Sequence, residues 1–542
     1  MALAIATRRR RRLAAVLLAP ITLLAACGDD SSDSGTENAT TAAGTTQVGA
    51  TAAPASTTAP LPAADPAGVI KQAYDLRLVK LDPISSPDPT SGSPIQYLIY
   101  GTMLVQKEDG AYEPGLAKKA TITDPSTITV DLQDGLKFSD GTTLDSAAVK
   151  ASIERIVAAN KPGTFRMAEL GQVAALETPT PAQVVIKLKT PIAGSFYNLL
   201  AHNETLVTKP GATGLDANPI GAGPFKLESF QTEQSLKLVK NPSYFQADQI
   251  KVAGVEFVQA TAGAAFLNAL KSGTVDAAAV SPDQVAQAQG GDVKGEVTKN
   301  PDNVLWIGMK CTKVPALGDV KVRQALNYAL DKAQLNTVVF EGKGDIMQGW
   351  WPGDNKFAST VKEPYKRDVA KAKQLLAEAG QTALKLNLGY SAGTTNLKFA
   401  EAAQQMWKEA GIDVALVPIT DAVGEYYTGA KADMFITGQT RTWTDKITRN
   451  FQPGSVGNTC EPKDAGFDAA IAKLRAADPN GTEAVALWQE IQKYEIDNAW
   501  AIFGLIGTTG KAWNGTKLVN VSWRPNQVGQ LVVDFRKAYV KK

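Results

Sequence analysis

The stretch from Asn300 to Lys332, NPDNVLWIGMKCTKVPALGDVKVRQALNYALDK, constrains this chain more than any other. It holds an apolar run, Val304–Met309, that suits a buried strand and is too short for a buried helix. A Pro/Gly turn at Pro315–Gly318 follows, and Asp319 is placed to cap a helix whose first N–H groups otherwise lack acceptors. Within that helix Val322, Ala325, Leu326, Ala329 and Leu330 fall at i, i+3, i+4, i+7 and i+8, one apolar stripe.

A chain of 542 residues exceeds what one hydrophobic core serves, since cores stop growing near about 250–300 residues, so two or three subdomains are expected. With 44% hydrophobic and 20% charged residues it has the make-up of a soluble globular protein. The five arginines Arg8–Arg12 outweigh the whole formal net charge of +2, and no basic patch elsewhere argues for nucleic acid. They form the charged start of an export signal, followed by an apolar segment, Leu13–Leu24, too short to span a bilayer as a mature helix. The segment ends in Leu24-Ala25-Ala26-Cys27, which matches the box of bacterial lipoproteins, where a cysteine is diacylated and becomes the new N-terminus. Residues 1–26 therefore read as a lipoprotein signal peptide, with a plain signal peptide and an incidental Cys27 as the alternative. Residues 27–66 are Ser, Thr, Ala, Gly and Pro with few large apolar side chains, a flexible tether that cannot bury enough surface to fold. Anchor and tether put the folded body on the outer face of the cytoplasmic membrane.

Taken in order, Val69–Tyr74 reads as a first strand and Ser85–Pro94 as a loop. Ile128, Val130 and Leu132 alternate with Thr127, Thr129 and Asp131, as do Val184, Ile186 and Leu188 with polar neighbours, the pattern of half-buried strands. Gly221 and Gly223 suit tight turns with positive φ; no phosphate-loop motif is present. Asp368 can cap a helix carrying Val369, Ala372, Leu375, Leu376 and Ala379 inward and ending at Gly380. Leu384–Leu388, the helix through Phe399, Ala403, Met406 and Trp407, and Val414–Val417 make a βαβ unit, hence a parallel sheet. Ala499–Ile506 is a second apolar run.

Several of these segments resemble one family. VRQALNYAL (322–330) resembles the "VRQALNYAID" motif of the family 5 solute-binding proteins, the peptide- and nickel-binding receptors of ABC importers. Leu81-Asp82-Pro83, Tyr112–Ala117, Phe138–Thr142, Pro219–Phe225 and Asn241–Phe245 resemble that family's "LDP", "EPGLA", "FSDGTP", "PIGTGPY" and "NPDYW" in the same order. The resemblance implies an α/β, periplasmic-binding-protein-like fold of type II, with two α/β lobes joined by two crossings and an extra subdomain in lobe one. It implies lobe one over 67–303 with the subdomain at about 99–212, lobe two over 304–504, and a return to lobe one over 505–542. The crossings are Asn303–Met309 and Ala499–Ile506.

Catalytic chemistry is sparse. The single histidine, His202, is the one residue through which a conventional triad could run, and the elbow, zincin and S-x-x-K motifs are absent. With Cys27 lipidated, Cys311 and Cys460 are too few for a zinc site, and scarce imidazole argues against direct nickel capture. In an oxidising compartment those two cysteines are expected to pair. For binding, Asp433–Asp445 resembles the family segment whose aspartate pairs with a peptide's α-amino group. Asp445 is the nearest match, with Trp443 beside it, Arg441 available for a carboxylate, and Tyr390, Trp350 and Trp351 as further aromatic contacts. The function implied is a lipid-anchored receptor that captures a peptide or similar small polar solute and delivers it to a permease and ATPase. It needs no cofactor, metal or nucleic acid, and acts as a monomer. The rivals are a secreted hydrolase, and a sensory or adhesion lipoprotein using the same clamp.

Overall fold

The computed structural model describes residues 61–542 apart from 78, 86–88, 108–110, 160–166, 262, 440–445, 447–449, 451–454, 456 and 525–530. The signal peptide, Cys27 and most of the tether lie outside the described residues, as do Arg441, Trp443 and Asp445.

The first strand, β1 (Val69–Tyr74), is followed by a self-contained antiparallel sheet in the order β2-β3-β5-β4: β2 (Ala117–Asp124), β3 (Thr127–Leu132), β4 (Val173–Thr180) and β5 (Gln183–Leu188). Period-2 alternation sends Ile128, Val130, Leu132, Val184, Ile186 and Leu188 to one face. There they meet Val149, Ile153 and Ile156 of α1 (Ser146–Ala159) and Phe196 and Leu199 of α2 (Ala193–Leu199) in one core. These elements form a subdomain with a core of its own.

The chain then lays down β6 (Phe225–Gln231), β7 (Ser235–Lys240), β8 (Gly254–Gln259) and β9 (Ala277–Val280), and runs out along β10 (Val293–Met309). Beyond β10 come α3 (Val320–Tyr328), α4 (Lys332–Phe340), α5 (Val369–Glu378), β11 (Lys385–Ser391), α6 (Thr394–Glu409), β12 (Asp413–Ile419) and β13 (Met434–Gln439). Last are α7 (Ala465–Ala476), α8 (Thr482–Asn498) and β14 (Ala501–Asn514), which comes back. β11, α6 and β12 form the expected βαβ unit, with Leu386 beside Val414 and Leu388 beside Leu416 in parallel register.

One 11-stranded sheet runs through both halves of the molecule in the order β12-β11-β13-β10-β14-β9-β1-β8-β7-β6, with the short Asp345–Ile346 pairing off β14. The crossings are therefore longer than their apolar runs: Val304–Met309 is the end of a 17-residue strand, and the return strand starts at Ala501 and continues to Asn514. Polar residues such as Lys294, Glu296, Thr508 and Lys511 fill the added lengths, and a ladder partner, rather than hydrophobicity, keeps them extended. β10 and β14 pair antiparallel from Val293–Asn514 to Lys299–Thr508, lose register, and resume at Val304–Ile506.

The motif around 322–330 has a physical reading. Asp319 accepts from the Lys321 N–H at 2.8 Å and starts α3, whose apolar stripe is buried. Arg323 is buried too: its guanidinium donates to the carbonyls of Leu317 and Gly318 at 2.8 and 2.9 Å and to that of Asn498 at 2.9 and 3.1 Å. Asn498 ends α8, so a fixed cation serves the orphan carbonyl at a helix C-terminus. The glycines of Pro219–Phe225 depart from expectation, because neither Gly221 nor Gly223 is among the residues with positive φ. They are small because the backbone of 98–100 lies on them. A Cβ on Gly221 would stand 2.6 Å from Tyr100 Cα, and one on Gly223 2.7 Å from the Ile99 carbonyl carbon.

Candidate ligand site

Ligand capture between two lobes depends on what faces the seam between them. β13 sits next to β10, with Val304 opposite Gln439 and Leu305 opposite Gly438, so its C-terminal end lies at the level of the register shift. Arg441, Trp443 and Asp445 follow β13 in sequence and lie outside the described residues. Thr437, one pair earlier, is buried with its hydroxyl 3.5 Å from Tyr427 Oη.

The other aromatic expectations occupy different ground. Tyr390 is half-buried near the end of β11, opposite Pro418 and Ile436, and packs on the second-lobe core. Trp350 is 1% exposed and sits edge-on to Trp306 and Phe503 with ring centroids 5.0 and 5.4 Å apart. Its backbone N–H donates to Gln492 Oε1 at 2.8 Å and its indole N–H to Glu495. Glu495 is buried, and desolvation raises its carboxyl pKa well above the usual value, against the opposing pull of the Trp350 N–H. Trp351 is buried against Trp488 and Phe357. Its ring carries the Lys446 ammonium 3.9 Å from the centroid, and Lys446 is itself fully buried. Trp350 and Trp351 belong to the aromatic core of the second lobe, which Lys446 joins through Trp351.

Sequence reasoning missed the contact that joins subdomain and second lobe. Helix α2 meets the end of α7 so closely that a Cβ on Gly194 would lie 2.9 Å from the Ala477 carbonyl carbon and overlap its oxygen. Asn480 Nδ2 donates to Tyr197 Oη at 3.4 Å, and Arg475 lies 3.8 Å from the buried Glu169 carboxylate. On the subdomain side Tyr112 donates to Asn198 and packs edge-on to Tyr197 at 5.4 Å. Burial raises the hydroxyl pKa of Tyr112, so it is a neutral donor. Two buried small residues, Gly194 and Ala477, were the available signal, and nothing in their local sequence tells a helix interior from a seam. Cys311 and Cys460 are also brought together, with Cα atoms 4.4 Å apart and sulfurs paired, 149 residues apart in sequence. Their Cα separation falls within the range a disulfide accepts.

His202 is fully buried in the subdomain. Among the described residues no cluster of three or more His, Cys, Asp or Glu side chains could hold a metal ion, and no helix is long and apolar enough to cross a membrane.

With this geometry in view, comparisons place the chain. The family described as bacterial extracellular solute-binding proteins, family 5 Middle, matches residues 111–454. A relative named glutathione-binding protein GsiB, from Salmonella paratyphi A, is 29% identical over 379 residues, which is 66% of this chain and 72% of the relative. Among solved structures, the ABC transporter substrate-binding protein CtaP of Listeria monocytogenes superposes with a TM-score of 0.76 at 21% identity, covering 88% of this chain and all of that one. The murein tripeptide-binding protein MppA, in its unliganded open form, gives 0.74 at 19% identity over 89% and 98%. Both establish the two-lobed type II fold. Proteins of this family bind solutes rather than transform them, so the hydrolase alternative falls. The match spans residues 111–454, well over half of the chain, and the protein belongs to the bacterial extracellular solute-binding proteins of family 5.

Proposed function

We propose that this protein is a lipid-anchored receptor that captures short peptides at the seam of its two lobes and hands them to an ABC permease. The observation that carries the reading is the relation to glutathione-binding proteins over two thirds of the chain, since glutathione is itself a small peptide. β13 ends beside both crossings, and Arg441, Trp443 and Asp445 follow it directly in sequence, which supports this choice of contacts. In this reading Asp445 pairs with the peptide's amino group, Arg441 with its carboxylate, and Trp443 and Tyr390 provide apolar walls. Ligand favours the conformation in which both lobes touch it, and the closed form is what the permease reads. Cys27 carries the lipid, the tether spans the gap to the membrane, and Cys311–Cys460 is a disulfide.

Mass spectrometry of what co-purifies with the exported protein, followed by calorimetry with glutathione and with di- and tripeptides, tests the reading. Tight binding of at least one free-amino peptide is expected. Losing a buried charge partner costs roughly 2–5 kcal/mol, so Asp445→Ala should weaken that binding by more than tenfold. Peptides that bind neither protein, or bind both alike, would remove this assignment. Peptide uptake unchanged by deletion of this receptor would favour a sensory or adhesive role.

A further inference from the structure

The second lobe holds a cavity that the capture mechanism does not use. It has a volume of about 440 Å³ and lies where α4 and α5 begin, closed on one side by Ile346 and Met347. All of its lining residues fall between 330 and 369, so neither the first lobe nor the 434–460 region contributes to it. The size is that of a site for a small organic molecule.

Its wall carries a charge without a counterpart. Lys332 is only 8% exposed, and among the described residues no hydrogen bond or ion pair is made by its ammonium. Bare burial of this kind is costly, and desolvation lowers the pKa of Lys332 to about 8. Two more groups in the wall are incomplete: Arg367 Nε is buried without an acceptor, and Gln348 Oε1 without a donor. The other face of the Arg367 guanidinium is engaged by Glu409. The nearby acid Asp331 is committed as the cap of α4, accepting from the Gln334 N–H at 2.9 Å. The lining also includes the apolar Leu330, Met347 and Val369.

We propose that this cavity is a second ligand site, which takes a small organic anion with a carboxylate head and a short apolar body. The carboxylate supplies the acceptor that Lys332 Nζ lacks, with the Arg367 charge in the same wall, and the body covers the apolar lining. Such a site on the second lobe would let an abundant metabolite tune the receptor without competing for the seam.

Hexanoate is a suitable probe, with hexanamide as its uncharged counterpart, in calorimetry on the full exported protein at pH 7. One hexanoate per chain is expected, with hexanamide at least tenfold weaker. Lys332→Met, which removes a buried charge and keeps the length of the side chain, should abolish binding while leaving the melting temperature unchanged or raised. Arg367→Gln, at a half-exposed position, should weaken binding several-fold and serves if the first variant does not fold. Binding should also fall between pH 7 and pH 9.5 as Lys332 loses its proton, with Asp331, Glu363, Tyr365, Lys366 and Arg367 as the other ionisable groups around the cavity. Equal affinity for acid and amide, no binding at millimolar hexanoate, or binding that survives Lys332→Met overturns the proposal. So does binding that Asp445→Ala removes, since hexanoate would then occupy the seam; a peptide that fails at the seam leaves this site untouched.

Discussion

Replacing Gly194 by Ala adds one methyl group at the seam and nothing else. The Cβ would overlap the Ala477 carbonyl oxygen and lie 2.9 and 3.1 Å from that residue's C and N, where ordinary contacts need about 3.5 Å or more. The neighbour is backbone, so no side chain can swing aside. α2 and the end of α7 must separate by about 1 Å, at the expense of dispersion contacts along the whole seam. The Asn480–Tyr197 hydrogen bond, already 3.4 Å, would break, forfeiting about 0.5–1.5 kcal/mol, and the Arg475–Glu169 pair would lengthen beyond 3.8 Å. A total near 2 kcal/mol is reasonable, which is a roughly thirtyfold loss of affinity for a ligand that must close the lobes. Within α2 itself Ala is the better helix former by at most about 1 kcal/mol. That gain is present whether or not the lobes touch, so it cancels from the affinity and appears only as an unchanged or slightly higher melting temperature without ligand. Calorimetry with whatever peptide the wild type binds, and thermal melts with and without it, give both quantities. An affinity within twofold of wild type would refute the idea that ligand binding depends on the close approach of α2 to the end of α7.

Three further outcomes are expected. Peptide mapping without reductant should recover Cys311 and Cys460 in one linked fragment; replacing both by Ser should cost up to about 4–5 kcal/mol for a loop of 149 residues, read as a lower denaturant midpoint, and free thiols in exported protein would disprove the bond. Glu495→Gln keeps an acceptor for the Trp350 N–H and removes the ionisation. The folded carboxyl has a pKa raised above its unfolded value, so wild-type stability is full below about 4.5 and declines as pH rises towards the folded pKa; the variant should be the more stable protein at pH 7.5 and not at pH 4, and parallel stability curves would contradict that. Arg323→Met leaves three backbone carbonyls without their donor and should lower the denaturant midpoint by an amount corresponding to about 2–3 kcal/mol, with ligand affinity unchanged in the protein that remains folded.

Much of the fold was legible because local signals and tertiary structure agree. Asp319 and Asp368 announce helix starts by chemistry that acts over three residues, and both accept the N–H bonds expected of them. The alternation in Thr127–Leu132 is a direct image of a sheet with one buried face. The lengths of the crossings were not legible, since Lys294, Glu296 and Lys511 are extended only because each strand finds the other some 200 residues away. Gly221 and Gly223 stand out in sequence, yet their reason is the backbone at 98–100, which no local pattern reveals. The two tryptophans at 350 and 351 show the same limit. An aromatic pair is equally suited to a ligand wall or a core, and Trp306, Phe503 and Trp488 decide the matter from elsewhere in the chain.

The position of β14 in the sheet order has a consequence for how such a chain comes to exist. It lies between β10 and β9, so the half of the sheet laid down first and the half laid down second have no direct edge in common until Ala501–Asn514 arrives. A chain emerging N-terminus first from the ribosome therefore carries two unpaired edges until more than nine-tenths of it has been made. Contacts this distant in sequence form slowly, and exposed edges are what chaperones and proteases recognise. A product truncated just before Ala501 would retain nearly every helix and both ends of the sheet, and would still be unable to join them.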